Sequence, residues 1–269
     1  MDTADEQRWK YTPDGFIENI HPLTFSGSST CWILIHGYTN TPEELRALGQ
    51  RIHGTYGDTV YIPLLLGHGQ RASDLERYTV EDRYQQISNL ADEKQCDYIM
   101  GSSLGASLAL RYAEEHEPKN LIIVSVPLAQ EPTWLPSQMT TLIWRTGRYL
   151  RKTSPGETID DPQGNASHIA SANFPLKGAV ELIAFNKAVI ADLKNVRANT
   201  LIIHALHDTV MNVKGARDLN MQLKTNRKLI ILQRGDHIIF EDYHKDAAIQ
   251  AVLNFRAAHT QALNNTVSE

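Results

Sequence analysis

Gly101, Ser103 and Gly105 stand at alternate positions between the apolar run Tyr98-Ile99-Met100 and a helical pattern from Ser103 to Glu117. The order is strand, tight turn, helix. A turn this sharp forces its apex residue into a strained backbone conformation and throws that side chain clear of the sheet. Side chains at 101 and 105 would collide across the turn, and glycine removes the collision. The following helix aims its first amide N–H groups at the turn. Its positive end favours negative charge developing beside Ser103. A glycine-rich turn with an idle serine carries the same three residues. The strand before it and the helix after it favour a working serine.

The rest of the chain alternates in the same way. Thr30 to His36 is a continuous apolar run, as in a strand buried on both faces. Thr41 as cap, Pro42 at the first position and Glu43 and Glu44 at the positive end predict a helix to about His53. Further strands are expected at Asp58–Pro63, Asn120–Val126, Asn199–Ala205 and Arg227–Leu232, and helices at Val80–Glu93, Pro175–Leu193, Val213–Lys224 and Tyr243–Ala258. Phe16 to Ile20 and Pro22 to Phe25 suggest a first hairpin, and the polar tail from Thr260 reads as loose. Apolar strands alternating with amphipathic helices predict an α/β chain with a mainly parallel, doubly wound sheet. Residues 128–174 interrupt the alternation with a proline-punctuated apolar stretch and a polar, irregular one. They read as a small cap inserted into one discontinuous core domain, 1–127 and 175–269.

A chain of 269 residues suits such a domain. Lys plus Arg is 26 against 31 for Asp plus Glu, a formal charge of −5, and no basic block occurs, which argues against a nucleic-acid partner. No run approaches the roughly 18 apolar residues of a membrane span. The first ten residues are polar and acidic, with no apolar export segment. Cys31 and Cys96 lie beside buried strands and read as two free thiols in a reducing compartment. A soluble cytoplasmic protein is expected, with oligomeric state left open.

In an open α/β sheet, ligands bind beyond the carboxyl ends of the strands. Four strands here end in residues with chemical potential: His36-Gly37-Tyr38, Ser103, Asp208 and His237. Serine needs a base to take its proton, histidine suits that role near neutral pH, and a carboxylate fixes its tautomer. The order Ser103, Asp208, His237 fits such a triad. Among eleven histidines, His53 and His116 fall in helices, His204 in a strand, and His207 beside the acid. His237 follows the last strand on a short glycine-containing loop. Asp236 and Asp242 are rivals of Asp208, with structural or solvated roles as the alternative. His36 reads as structural, and His68 and Asp74 as shaping a nearby loop. The oxyanion donors expected are the N–H of Leu104 and, where Gly37 permits close approach, the N–H of Tyr38.

These motifs resemble the α/β-hydrolases of the carboxylesterase and bacterial monoacylglycerol-lipase group. The shared residues are His36-Gly37-Tyr38-Thr39, Leu66-Gly67-His68-Gly69, Gly101-Ser102-Ser103-Leu104-Gly105, His207-Asp208-Thr209-Val210, Gly235-Asp236-His237-Ile238 and Phe174-Pro175-Leu176. The resemblance covers roughly residues 30 to 258, weakly through the cap. It implies an α/β-hydrolase fold, a lid over an acyl pocket, hydrolysis of small carboxylic esters through an acyl-enzyme, and no cofactor or metal. Leu104-Gly105-Ala106 stands where Met-Gly-Gly is common in the group. Trp134 and Trp144 in the cap read as lining an acyl tunnel or as pinning the cap onto the sheet. The same machinery also suits a thioester, an amide or a carbon–carbon bond, and a non-catalytic ligand-binding module is the third reading.

Overall fold

The computed structural model describes residues 8–128, 149–154 and 156–267. Strands β1 (Leu23–Phe25), β2 (Cys31–Ile35), β3 (Thr59–Ile62), β4 (Tyr98–Ser102) and β5 (Asn120–Val124) precede the cap. The short strands β6 (Tyr149–Arg151) and β7 (Asn173–Pro175) pair antiparallel as a separate ribbon. After them come β8 (Asn199–Ala205) and β9 (Arg227–Leu232). The main sheet is seven-stranded, in the order β1-β3-β2-β4-β5-β8-β9, and parallel throughout except for β1. From the edge strand β1 the chain crosses to β2, winds back to β3, and then runs across β4 to β9 at the far edge. Both windings bring strand ends to one edge, beside Ser103.

The helices used below are α1 (Glu43–Tyr56), α2 (Val80–Lys94), α3 (Leu104–Glu115), α4 (Leu176–Asp192), α5 (Lys214–Gln222) and α6 (Lys245–Val267). The continuous apolar strands divide their side chains between two cores, because successive residues of a strand face opposite ways. Ile33, Ile35, Ile99, Leu121, Ile123 and Ile202 pack with residues of α2, α3, α4 and α5. Trp32, Leu34, Met100, Ile122, Val124, Leu201 and Ile203 pack with residues of α1 and α6. Each fully buried aliphatic side chain contributes on the order of 1.5–3 kcal/mol, so a two-sided sheet of this width holds its strand ends firmly.

Four expectations are corrected. Cys31 and Cys96 are not free thiols; they form a disulfide, with Cα atoms 4.7 Å apart. The reason lies in the register of β2 against β4, where Trp32 faces Tyr98 and the preceding residues are thereby brought together. Residues 16–25 do not form a hairpin: Ile17 bridges Tyr11, and β1 pairs with β3. Thr41 does not cap α1 with its side chain; its hydroxyl donates to Ile169 O at 2.9 Å, tying the helix start to the segment before β7. The last helix continues through the expected loose tail to Val267.

The bridge closes a loop of 65 residues, for which a chain-entropy argument gives a few kcal/mol. Replacing both cysteines by serine is expected to lower folding stability by about 2–4 kcal/mol. A lower unfolding free energy from urea denaturation would report it, with a steeper slope from the more expanded unfolded chain, and an unchanged free energy would refute it.

Candidate active site

Ser103 sits between β4 and α3 with φ 52° and ψ −115°. The neighbouring glycines make that conformation possible. A methyl group on Gly101 would lie 2.0 Å from Gly105 O, and one on Gly105 would lie 2.1 Å from Ile35 O. Ser103 O–H donates to His237 Nε2 at 2.9 Å, and His237 Nδ1–H donates to Asp208 Oδ2 at 2.7 Å. The other oxygen, Asp208 Oδ1, accepts the N–H groups of Val210 at 2.9 Å and Met211 at 2.7 Å. All three side chains are buried. Burial works against the charged forms of both partners. For His237, the negative charge and hydrogen bond of Asp208 outweigh burial and hold its pKa above the ordinary 6.5. For Asp208, His237 and the backbone donors outweigh burial and hold its pKa below the ordinary carboxylate value.

The other candidates have separate partners. Asp236 accepts the N–H and hydroxyl of Thr209, both at 2.6 Å. Asp242 accepts the N–H groups of Asp160, Asp161, Asp236 and Tyr243. Both are structural. His207 is exposed. His36 donates through Nδ1 to Gly37 O and accepts the Leu65 N–H on Nε2, and complete burial pulls its pKa down to about 4. His68 is held well below its usual range by burial, with Nδ1 against Leu66 O.

The loop after β2 lies against the serine: a methyl group on Gly37 would stand 3.3 Å from Ser103 Cβ. Tyr38 O–H donates to Pro175 O at 3.2 Å, and its ring meets Phe174 edge-on at 5.1 Å. Leu104 opens α3, so its N–H has no intrahelical acceptor. A cavity of about 930 Å³ has Tyr38, Ser103 and His237 in its lining, and Phe174, Leu182, Ile183 and Ile190 give it an apolar wall. Trp134 and Trp144 lie outside the described residues. Among the described residues no group of three or more His, Cys, Asp and Glu is placed to hold a metal ion.

The serine aminopeptidase S33 family, Hydrolase_4, matches residues 30–244. The chain belongs to this α/β-hydrolase family. Its relatives include the thermostable monoacylglycerol lipase of Bacillus sp. (strain H-257), 28% identical over 233 residues that cover 84% of this chain and 90% of the relative. The carboxylesterase of Bacillus subtilis (strain 168) is 22% identical over 244 residues, covering 87% and 95%. The solved monoacylglycerol lipase of Paleococcus ferrophilus superposes with a TM-score of 0.77 at 20% identity, over 90% of this chain and 99% of that one, a likeness of fold.

In this hydrolase three further side chains shape the site without having been singled out in the sequence. Glu44, buried on α1, accepts the Gly37 N–H and an Asn40 side-chain N–H, each at 2.9 Å. That contact engages the Gly37 N–H and braces the loop. In the sequence Glu44 reads as an ordinary acidic residue of a first helical turn. Ser125, at φ 49° just past β5, donates its hydroxyl to His237 O at 2.7 Å and holds the histidine loop. Its signal was a lone polar residue inside the run Asn120 to Val126. His204, buried in β8, stands 3.3 Å from Asp208 Oδ2.

Proposed function

We propose that this serine ester hydrolase cleaves short- and medium-chain monoacyl esters, monoacylglycerols among them, through an acyl-enzyme on Ser103. The observation that carries the reading is the unbroken hydrogen-bonded chain Ser103–His237–Asp208 on a backbone strained at Ser103. Ser103 attacks the ester carbonyl as His237 Nε2 takes its proton. Asp208 supports the resulting imidazolium. The N–H groups of Tyr38 and Leu104 receive the oxyanion, fixed in advance by the Glu44 brace and the start of α3. His237 then protonates the leaving alcohol, and water deacylates Ser103 with the same base.

The apolar cavity wall and the two esterase relatives support an acyl ester as substrate. Residues 128–174 act as the cap in this reading, and Gly37, Trp134 and Trp144 contribute to the substrate site. No observation favours a thioester, amide or carbon–carbon substrate, or a non-catalytic binding role. No helix among the described residues is long and apolar enough to cross a membrane. A cytoplasmic location no longer has the free thiols in its favour, since the Cys31–Cys96 bridge suits an oxidising compartment better.

A fluorophosphonate probe followed by digestion tests the reading. The adduct is expected on Ser103, and folded protein that stays unlabelled would overturn it. A p-nitrophenyl ester series, with Trp134 and Trp144 each replaced by alanine, then assigns chain-length preference.

The pH dependence follows from the histidines. The base must be neutral to accept the serine proton, so kcat/KM is expected to rise with pH through an apparent pKa above 6.5. His36, His68 and His204 are all shifted downward by burial, so none of them accounts for a limb on that side. A limb below 6, measured with the enzyme still folded, would contradict the assignment of His237 as base.

A further inference from the structure

His204 lies in β8, next to the strand's last residue and four positions before Asp208. Its side chain is fully buried. Nε2 stands 3.1 Å from Met211 O and 3.3 Å from Asp208 Oδ2. Both neighbours are acceptors, so the nitrogen between them carries the hydrogen. Nδ1 is buried with no hydrogen-bond partner. In the Nε2–H tautomer only a lone pair goes unmet there. The other tautomer would bury an N–H without an acceptor and point a lone pair at two oxygens, and the cation would also bury that N–H unmet.

Asp208 Oδ2 thus faces two imidazoles: it accepts the His237 Nδ1–H at 2.7 Å, and His204 Nε2, whose hydrogen bond goes to Met211 O, stands 3.3 Å away. With Oδ1 holding two backbone N–H groups, both oxygens of the carboxylate are engaged. We propose that His204 is a positioning residue for ester hydrolysis: the positive Nε2–H edge of its neutral ring, anchored on Met211 O and set 3.3 Å from Asp208 Oδ2, steadies the carboxylate and limits how strongly it draws on His237. The proposal rests on the reading of Ser103, Asp208 and His237 as the triad.

An N–H edge beside Oδ2 offsets part of its charge. Without His204 the full charge of Oδ2 falls on His237, the imidazolium becomes too stable, and less base is available near neutral pH. The charged or titratable groups bearing on His204 are Asp208 and His237; those bearing on His237 are Asp208, Asp236 and Glu44. The neighbouring strand β5 carries no ionisable side chain. Arg227 and Lys228 of β9 pair with Thr200 and Leu201, at the far end of β8. On α5, Lys214 and Asp218 pair with each other.

The test compares His204→Leu, which deletes the donor, with His204→Gln, whose amide Nε2–H restores one. In His204→Leu the acid limb of kcat/KM is expected to move up by about half a pH unit and kcat to fall on the order of tenfold. His204→Gln is expected to return the limb to its parental position. An acid limb in His204→Leu that stays in place or moves down would overturn the proposal, even if thermal stability drops. Should the leucine variant fail to fold, nitrogen NMR of the parent with labelled histidine decides. A His204 ring protonated on Nε2 alone across the active pH range supports the proposal; a cation or an Nδ1–H tautomer overturns it. A parent that shows no ester turnover and no labelling at Ser103 would instead defeat the triad reading.

Discussion

Ester turnover is expected to fall by about a million-fold when Ser103 becomes alanine, with the fold intact. Alanine occupies the same strained φ of 52° at little extra cost, so the loss is chemical. His237→Ala is expected to lose a comparable factor, because nucleophile and base act as a unit. Asp208→Asn is expected to lose about ten-thousand-fold, since an amide presents the wrong partner to His237 Nδ1. The double variant Ser103→Ala with His237→Ala should be no worse than either single variant. Rates on p-nitrophenyl butyrate, corrected for background hydrolysis, measure all four. Normal activity in His237→Ala together with loss in His207→Ala would transfer the role of base to His207.

The second large effect is on folding. Gly105→Ala is expected to cost at least about 4 kcal/mol, because the new methyl would lie 2.1 Å from Ile35 O, 2.7 Å from Ile35 C and 2.9 Å from His36 O. Those atoms belong to β2 and the loop after it, and β2 sits in the interior of the sheet, so no flexible side chain is there to yield. Gly101→Ala meets Gly105 O at 2.0 Å and should behave alike. Gly54→Ala is the contrast: it lies exposed in α1 with nothing within 4 Å of the new methyl, and is expected to stabilise by roughly 0.5–1 kcal/mol. Urea unfolding of the three proteins measures the differences. A Gly105→Ala protein as stable as the parent would show that α3 does not pack this closely on β2.

The legible parts of the sequence were those whose signal is local. Continuous apolar runs gave away β2, β4, β5 and β8, because a strand covered on both faces needs apolar side chains at every position. Gly101-Ser102-Ser103-Leu104-Gly105 was legible because only glycine permits the close approaches found there. What escaped was nonlocal. Cys31 and Cys96 are neighbours only because β2 pairs on its other side with β4, a strand more than sixty residues further on, as well as with β3. Glu44 and His204 looked like a helix-start acid and a strand polar residue. Their partners, Gly37, Asn40 and Asp208, are fixed by how loops fold over the strand ends. The start of α1 was misjudged because Thr41 spends its hydroxyl on Ile169 O, a contact made 128 residues away.

Asp242 has a consequence for anyone recombining this chain with its relatives. One carboxylate clamps Asp236, next to His237, and also Asp160 and Asp161, and Ile238 N–H donates to Thr158 O at 3.3 Å beside them. The stretch from Thr158 to Asp161 is thus fastened to the histidine loop. A chimera that exchanges only residues between Leu128 and Tyr149 leaves that clasp whole. One that carries the exchange through Asp161 imports foreign backbone into it and has to bring its own partner for position 242. The workable crossover for swapping substrate-facing chain is therefore upstream of β6, and exchanges spliced downstream of it should inherit a displaced histidine along with any new specificity.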